Sequence, residues 1–167
     1  MIATVATEPA YRLTGPALLR QAHRNDVPAI QRVRHSVREN RLVSQTISDD
    51  DVIAAIEVSG RGWVIEVDHA IVGFAIGNAV DGNVWALFID PAHEGCGHGH
   101  RLHDAMVEWM KSQGVRTLWL TTEPGTRAQA FYERAGWSNR GLQPSGELRF
   151  ELDTSVRLAG YSGGERG

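Results

Sequence analysis

The residues with the clearest chemical potential form a glycine- and histidine-rich stretch, Glu94-Gly95-Cys96-Gly97-His98-Gly99-His100. The stretch follows a predicted strand that ends at Asp90-Pro91, and it leads into a predicted helix. Glycines in such a place let successive backbone N–H groups point into one concavity, and the positive end of the helix dipole adds to them. The pattern predicts a cradle for a phosphate or pyrophosphate group.

Two common nucleotide-binding motifs do not fit this stretch. The dinucleotide fingerprint requires a glycine three residues after Gly97, and His100 stands there. The P-loop requires a lysine directly after its last glycine, whereas Lys111 is the one lysine among 17 basic residues and lies far along the predicted helix. Another motif must therefore account for the cradle.

A second motif lies further along the chain, where residues 128–137 read AQAFYERAGW. This segment and the pattern Glu94-x-x-Gly97-x-Gly99 together resemble two motifs of the GNAT family of N-acetyltransferases. Those motifs read A-x-x-(F/L)-Y-E-x-x-G-(F/W) and Gln/Arg-x-x-Gly-x-Gly/Ala. The order of predicted elements matches the family as well, so the resemblance covers residues 16–152.

The resemblance implies acetyl-CoA as co-substrate and a primary amine of a small molecule or protein as acceptor, with direct transfer in a ternary complex. It places the pantetheine arm along the end of the fourth strand, and the pyrophosphate on the amides of the glycine stretch. A strand-end amide near Phe88 or Ile89 would stabilise the developing oxyanion. The implied cofactor-binding residues are Leu87, Phe88, Ile89, Gly95, Cys96, Gly97, His98, Gly99 and His100.

Two side chains are candidates for the proton transfers. The resemblance implies that Tyr132 protonates the departing CoA thiolate, and a phenol with a pKa near 10 is protonated at neutral pH. Glu123 follows the fifth predicted strand and is a candidate base or amine anchor, with Asp90 as a weaker candidate. Direct proton transfer from an ammonium to a carboxylate is uphill by roughly 8 kcal/mol, so desolvation or a water relay would have to help.

The sequence departs from the family pattern at two positions. Glu94 replaces the usual glutamine or arginine, which puts an acid beside a polyanion unless it points away or pairs with Arg101 or a histidine. Gly125 stands where many relatives have an asparagine, so we expect that contact to the cofactor to be missing.

Composition bounds the class of protein and its partners. The 167 residues fit one domain, and a net charge of −3 provides no general attraction to nucleic acid or to an anionic membrane. No apolar run reaches the roughly 18–20 residues that span a bilayer, and the N-terminal segment lacks a basic start, so we expect a cytoplasmic protein. One cysteine excludes an internal disulfide. The clustered histidines lack the ligand spacing of known metal signatures, so we expect no metal.

The elements that must position these residues follow from hydrophobic periodicity and turn signals, in the order β α α β β β α β α β β. The predicted fold class is α/β, a GNAT fold with a mixed central sheet of six to seven strands and about four helices. The fourth strand, residues 84–89, is a continuous apolar run typical of burial on both faces. The domain spans residues 16–152, between an N-terminal extension (1–15) and a flexible C-terminal tail (153–167).

Local signals add detail to these elements. Asp26 and Ser48 are predicted to cap the first two helices, and the third helix is predicted to begin after a loop that ends at Gly99. Asp81-Gly82 is predicted to form a hairpin turn with positive φ at both central positions.

The sequence is also compatible with a binding protein that is not an enzyme. A non-catalytic acyl-CoA-binding or sensing module with the same fold would keep the cradle without turnover, although Tyr132 favours an enzyme. We expect the acceptor to be selected by the segment Glu39–Thr46 and by the last two strands. A homodimer also stays open.

Overall fold

The computed structural model describes residues 16–37 and 46–155, whose strands and α-helices follow the predicted order β α α β β β α β α β β. The strands are β1 Leu18–Gln21, β2 Gly60–Val67, β3 Ala70–Asn78, β4 Val84–Ile89, β5 Thr117–Thr122, β6 Ser138–Leu142 and β7 Leu148–Asp153. The α-helices are α1 Val27–Ser36, α2 Asp49–Ala54, α3 His98–Ser112 and α4 Arg127–Arg134. The predicted extension (1–15) and most of the predicted tail lie outside the described residues.

The strands form two antiparallel sheets. The first has four strands in the order β1-β2-β3-β4, and the second has three in the order β5-β7-β6. The two sheets meet where β4 and β5 run parallel, through an isolated bridge between Asn83 and Trp119. The predicted mixed character of the seven-stranded arrangement comes from this parallel contact.

Side chains on both faces of the first sheet are covered by helices. Ile65 and Val67 of β2 belong to an apolar cluster with Leu102 and Met106 of α3, whereas Val64 belongs to a second cluster with Ile30 of α1. This alternation follows from the two-residue period of a strand. The first cluster also contains Leu118 and Phe150 of the second sheet, so it holds the two sheets together. No helix in the described ranges is long and apolar enough to cross a membrane.

Of the two predicted helix caps, Ser48 is confirmed and Asp26 is not. Ser48 caps α2 as predicted, because its hydroxyl accepts from the Asp51 N–H while the Asp51 carboxylate accepts from the Ser48 N–H. Asp26 stands at the N-cap position of α1, but its side chain does not cap that helix. The Asp26 carboxylate instead accepts from the His23 N–H at 2.8 Å and from the Arg20 guanidinium at 2.8 Å.

The two positive φ angles that were predicted for Asp81-Gly82 occur instead at the tight connection between β2 and β3. Asp68 and His69, which join β2 to β3, have φ of 51° and 65°. In the predicted turn only Gly82 has a positive φ, of 80°, among the described residues. The longer β3–β4 connection does not need the second left-handed residue that a two-residue hairpin requires.

Candidate active site

A cleft opens between β4 and β5 because the two strands diverge after their single bridge. At the bridge the Trp119 N–H donates to the Gly82 carbonyl at 3.0 Å. Beyond it the strands belong to separate sheets, and the cleft between them has a volume of about 930 Å³. Leu87, Phe88 and Ile89 are therefore only partly buried, so the prediction that β4 is buried on both faces is wrong for its second half.

Most of the predicted site residues line this cleft. Cys96 does not, because its side chain is exposed and its Sγ lies 3.7 Å from the carbonyl oxygen of Glu94. Asp90 does not either, since its carboxylate accepts from the Ala92 N–H at 2.9 Å and caps a short turn. The predicted residues that do line the cleft are Leu87, Phe88, Ile89, Gly95, Gly97, His98, Gly99, His100, Glu123 and Tyr132.

Of the three β4 residues predicted to bind the cofactor, two direct their backbone N–H and C=O groups into the cleft. The Asp90 N–H donates to the Val72 carbonyl at 2.8 Å, so Asp90 and Val72 form a hydrogen-bonded pair of the antiparallel ladder. Hydrogen-bonded and non-hydrogen-bonded pairs alternate along such a ladder, so the pair of Phe88 with Phe74 is hydrogen-bonded as well. Phe88 therefore directs its N–H and C=O to β3, whereas Leu87 and Ile89 direct theirs away from β3, toward the cleft. An extended ligand can add to this edge through Leu87 and Ile89.

The phosphate cradle is built by the start of α3. The helix begins at His98, inside the segment predicted as loop, because Gly97 adopts a left-handed φ of 80° and serves as N-cap. Glycine supplies this φ at no steric cost and brings no side chain that would cap the helix. The N–H groups of His98, Gly99 and His100 lie in the first turn, where an α-helix offers them no internal partner.

His98 adds a buried polar atom to the cradle. Its side chain is 8% exposed, and its Nδ1 has no hydrogen-bond partner. Burial lowers the pKa of His98, and the neighbouring His93 and Arg101 lower it further. A ligand group that hydrogen-bonds to Nδ1 would remove a penalty of about 1–3 kcal/mol. No three metal-ligating side chains converge within residues 16–37 and 46–155.

Tyr132 lies in an aromatic cluster at the wall of the cleft. Its ring centroid is 5.2 Å from Phe131 and 5.3 Å from Trp137, and the side chain is 6% exposed. Burial raises the pKa of the phenol above its ordinary value. The side chain therefore stays protonated at neutral pH and can act as a hydrogen-bond donor, but it cannot act as a base.

Two carboxylates that line the cleft lie next to each other. Glu123 follows β5 and Glu147 precedes β7, and the pairing of Thr122 with Leu148 places the two glutamates opposite each other. Within the described ranges neither side chain has an ion-pair partner. Glu147 was missed by sequence reasoning because its proximity to Glu123 depends on the register of β5 and β7.

The family of the chain is decided by its match to a family model. Residues 28–137 match the model described as the acetyltransferase (GNAT) family, and this range contains both motifs. The chain belongs to the GNAT family. A curated relative, the [ribosomal protein bS18]-alanine N-acetyltransferase of Haemophilus influenzae, is 33% identical over 73 residues. That match covers 42% of this chain and spans about half (50%) of the relative's length.

Solved GNAT structures share the fold at low identity. The ribosomal-protein-S18-alanine N-acetyltransferase of Escherichia coli has a TM-score of 0.68 and 18% identity, covering 87% of this chain and 99% of that one. A Salmonella typhimurium protein solved with its cofactor acetyl-CoA has a TM-score of 0.72 and 18% identity, and the match covers 89% of this chain and 99% of that one. An N-acetyltransferase of Thermoplasma acidophilum solved with coenzyme A has a TM-score of 0.70 and 13% identity, covering 83% and 99%.

The two departures from the GNAT motifs have structural consequences. Glu94 forms an ion pair with Arg127, the first residue of α4, and not with Arg101 or a histidine. Both residues line the cleft, so the pair links the β4–α3 loop to α4. Arg127 was missed because this contact joins residues 33 positions apart. Gly125 has a φ of 77° with open space around it, and its N–H donates to Gln129 Oε1 at 2.7 Å.

The substitution Glu94→Gln is expected to tighten CoA binding about fivefold. It removes a negative charge from the cradle, and one such charge interaction in a solvated site is worth about 1 kcal/mol. Isothermal titration calorimetry with CoA measures the change. Glu108→Gln, the same charge change on an exposed part of α3 far from the cradle, is the control and should leave the affinity unchanged. Weaker binding by Glu94→Gln would contradict the prediction.

Proposed function

We propose that this GNAT protein transfers an acetyl group from acetyl-CoA to a primary amine by direct attack of the amine on the thioester. The observation that carries the proposal is the cleft itself, which joins the open edge of β4 to the first turn of α3 and contains Tyr132 in its wall. A long ligand with amides at one end and phosphates at the other fits these groups in that order.

The β4 edge and the α3 cradle have separate roles in this proposal. The C=O groups of Leu87 and Ile89 and one of their two N–H groups pair with the pantetheine amides, and the other N–H polarises the thioester carbonyl. The first-turn N–H groups of α3 bind the pyrophosphate, assisted by the helix dipole. His98 Nδ1 lies in the same region and has no partner in the protein, so it is available to hydrogen-bond a group of the ligand.

Tyr132 acts on the departing sulfur. Ordinary phenol and thiol pKa values differ by about 1.5 units, so complete proton transfer to a free thiolate is uphill by about 2 kcal/mol. Burial raises the pKa of Tyr132 and increases this difference. The phenol therefore donates a hydrogen bond to the sulfur while the C–S bond breaks, and solvent supplies the proton that completes CoA-SH.

The paired carboxylates of Glu123 and Glu147 in the cleft favour a cationic amine as the acceptor. Glu123 and Glu147 attract the ammonium form and hold the amine beside the thioester. The ammonium must lose a proton before it attacks, and a water between it and Glu123 relays this proton to solvent. The predicted selectivity segment lies outside the described residues apart from Thr46.

An acceptor screen followed by free CoA release tests the proposal. The panel contains a diamine, free amino acids, a peptide that begins with alanine and a lysine peptide with a blocked N-terminus. The alanine peptide is included because of the name of the Haemophilus influenzae relative. Release of CoA together with an acetylated product supports the transferase. Binding of acetyl-CoA by calorimetry without release in any arm would favour the acyl-CoA-sensing alternative.

A further inference from the structure

A buried histidine outside the phosphate cradle contacts the aromatic cluster of Tyr132. His103 lies on α3 and is 1% exposed. Its Nε2 accepts from the Trp137 indole Nε1–H at 2.9 Å, and its Nδ1 lies 2.9 Å from Asp104 Oδ1. Neither GNAT motif assigns a role to this histidine, and the acetyl-transfer chemistry derived above does not use it.

The hydrogen bonds of His103 define one tautomer. An indole N–H can only donate, so Nε2 must be the unprotonated nitrogen of the ring. Nδ1 then carries the proton and donates it to the Asp104 carboxylate. Burial lowers the pKa of His103, and it outweighs the opposite effect of Asp104. The imidazole is therefore a neutral acceptor that joins α3 to Trp137, the residue directly before β6.

The same two rings contact the phenol. The Trp137 ring lies 5.3 Å from the Tyr132 ring at an interplanar angle of 71°, and the His103 ring lies 6.4 Å from it. An apolar side chain at position 103 would fill this space without the cost of burying an imidazole. Unlike such a side chain, the imidazole accepts a hydrogen bond from the indole N–H of Trp137, which is 4% exposed, and so holds the indole in one position.

We propose that His103 is a positioning residue, which through its hydrogen bond to Trp137 holds the Tyr132 ring where the hydroxyl meets the departing sulfur. This inference rests on the proposed acetyl transfer. It predicts that position 103 requires a hydrogen-bond acceptor, and that the effect of losing the acceptor is exerted through the Tyr132 hydroxyl.

A double-mutant cycle with a conservative rescue tests the inference. His103→Leu removes the acceptor and should lower kcat at least about tenfold while KM for acetyl-CoA stays within about twofold. His103→Gln places a carbonyl oxygen near the position of Nε2 and should keep kcat within about threefold of wild type. In a Tyr132→Phe background, His103→Leu should have no further effect on kcat.

Controls separate positioning from loss of the fold. Thermal unfolding and acetyl-CoA binding are measured for each variant, and Val33→Ala, which truncates the other apolar cluster, serves as a core-destabilised control that should keep wild-type kcat. The inference is overturned if His103→Leu lowers kcat equally with and without the Tyr132 hydroxyl, or if His103→Leu and His103→Gln behave alike. A wild-type protein that acetylates no amine in the panel would overturn the proposed function, and the positioning role with it.

Discussion

Tyr132→Phe is expected to lower kcat by about 10²–10³-fold while the dissociation constant of acetyl-CoA changes by less than about twofold. The substitution removes the hydrogen-bond donor from the departing sulfur but retains the ring. The ring contacts to Phe131, Trp137 and Phe150 are therefore preserved. Since these contacts involve the ring and not the hydroxyl, we expect the fold to tolerate the change.

Steady-state kinetics with the best amine of the panel, together with calorimetry of acetyl-CoA binding, measures both quantities. If Tyr132 acts as a donor, the rate of Tyr132→Phe should recover with a thioester whose leaving thiol is more acidic. A thioester of an activated thiol needs less help from a donor. Unchanged kcat with the natural thioester would exclude the donor role.

Gly99→Leu is expected to weaken CoA binding by at least about 100-fold, which corresponds to about 2.7 kcal/mol. A Cβ at this position would lie 3.4 Å from Phe131 Cε2 and 3.9 Å from Ile89 Cγ1. A leucine side chain would therefore extend into the space between the β4 edge and α4, where the proposed ligand passes from its amides to its phosphates. Gly99 has no positive φ, so the backbone can accept the larger residue.

Gly99→Ala is the matched control, because the added methyl group makes only ordinary contacts. We expect a loss of affinity of less than about fivefold for it, and a stability equal to or above that of wild type, since glycine is a poor helix former. Calorimetry with CoA and thermal unfolding measure these values. If the leucine variant binds CoA as wild type does, the ligand does not follow the start of α3.

Much of the fold could be predicted from local patterns. The span of β4 agrees with the apolar run of residues 84–89 that predicted it, because β-branched and aromatic residues bounded by turn residues indicate strands directly. The N-cap role of Ser48 is also a local signal, and Ser48 caps α2 as predicted. The two GNAT motifs are also local, so the family followed from the sequence and the family model agrees with it.

The details of the candidate site depended on tertiary structure. The sequence predicted that Leu87, Phe88 and Ile89 bind the ligand, but the register of β4 against β3 decides that Phe88 directs its backbone to β3. Strand parity is set by long-range pairing, which an apolar run does not specify. The start of α3 at His98 likewise depended on the left-handed Gly97 and not on the helical pattern.

Contacts between distant residues could not be read from the sequence at all. Arg127 and not Arg101 pairs with Glu94, Glu147 lies opposite Glu123, and His103 is buried against Trp137. Each contact joins residues more than 20 positions apart, where packing of α3, α4 and the second sheet decides which side chains meet. By itself, therefore, the sequence determined the family, the element order and the residue types of the cleft. The packing of the two sheets decided which of their polar groups face a ligand and which face each other.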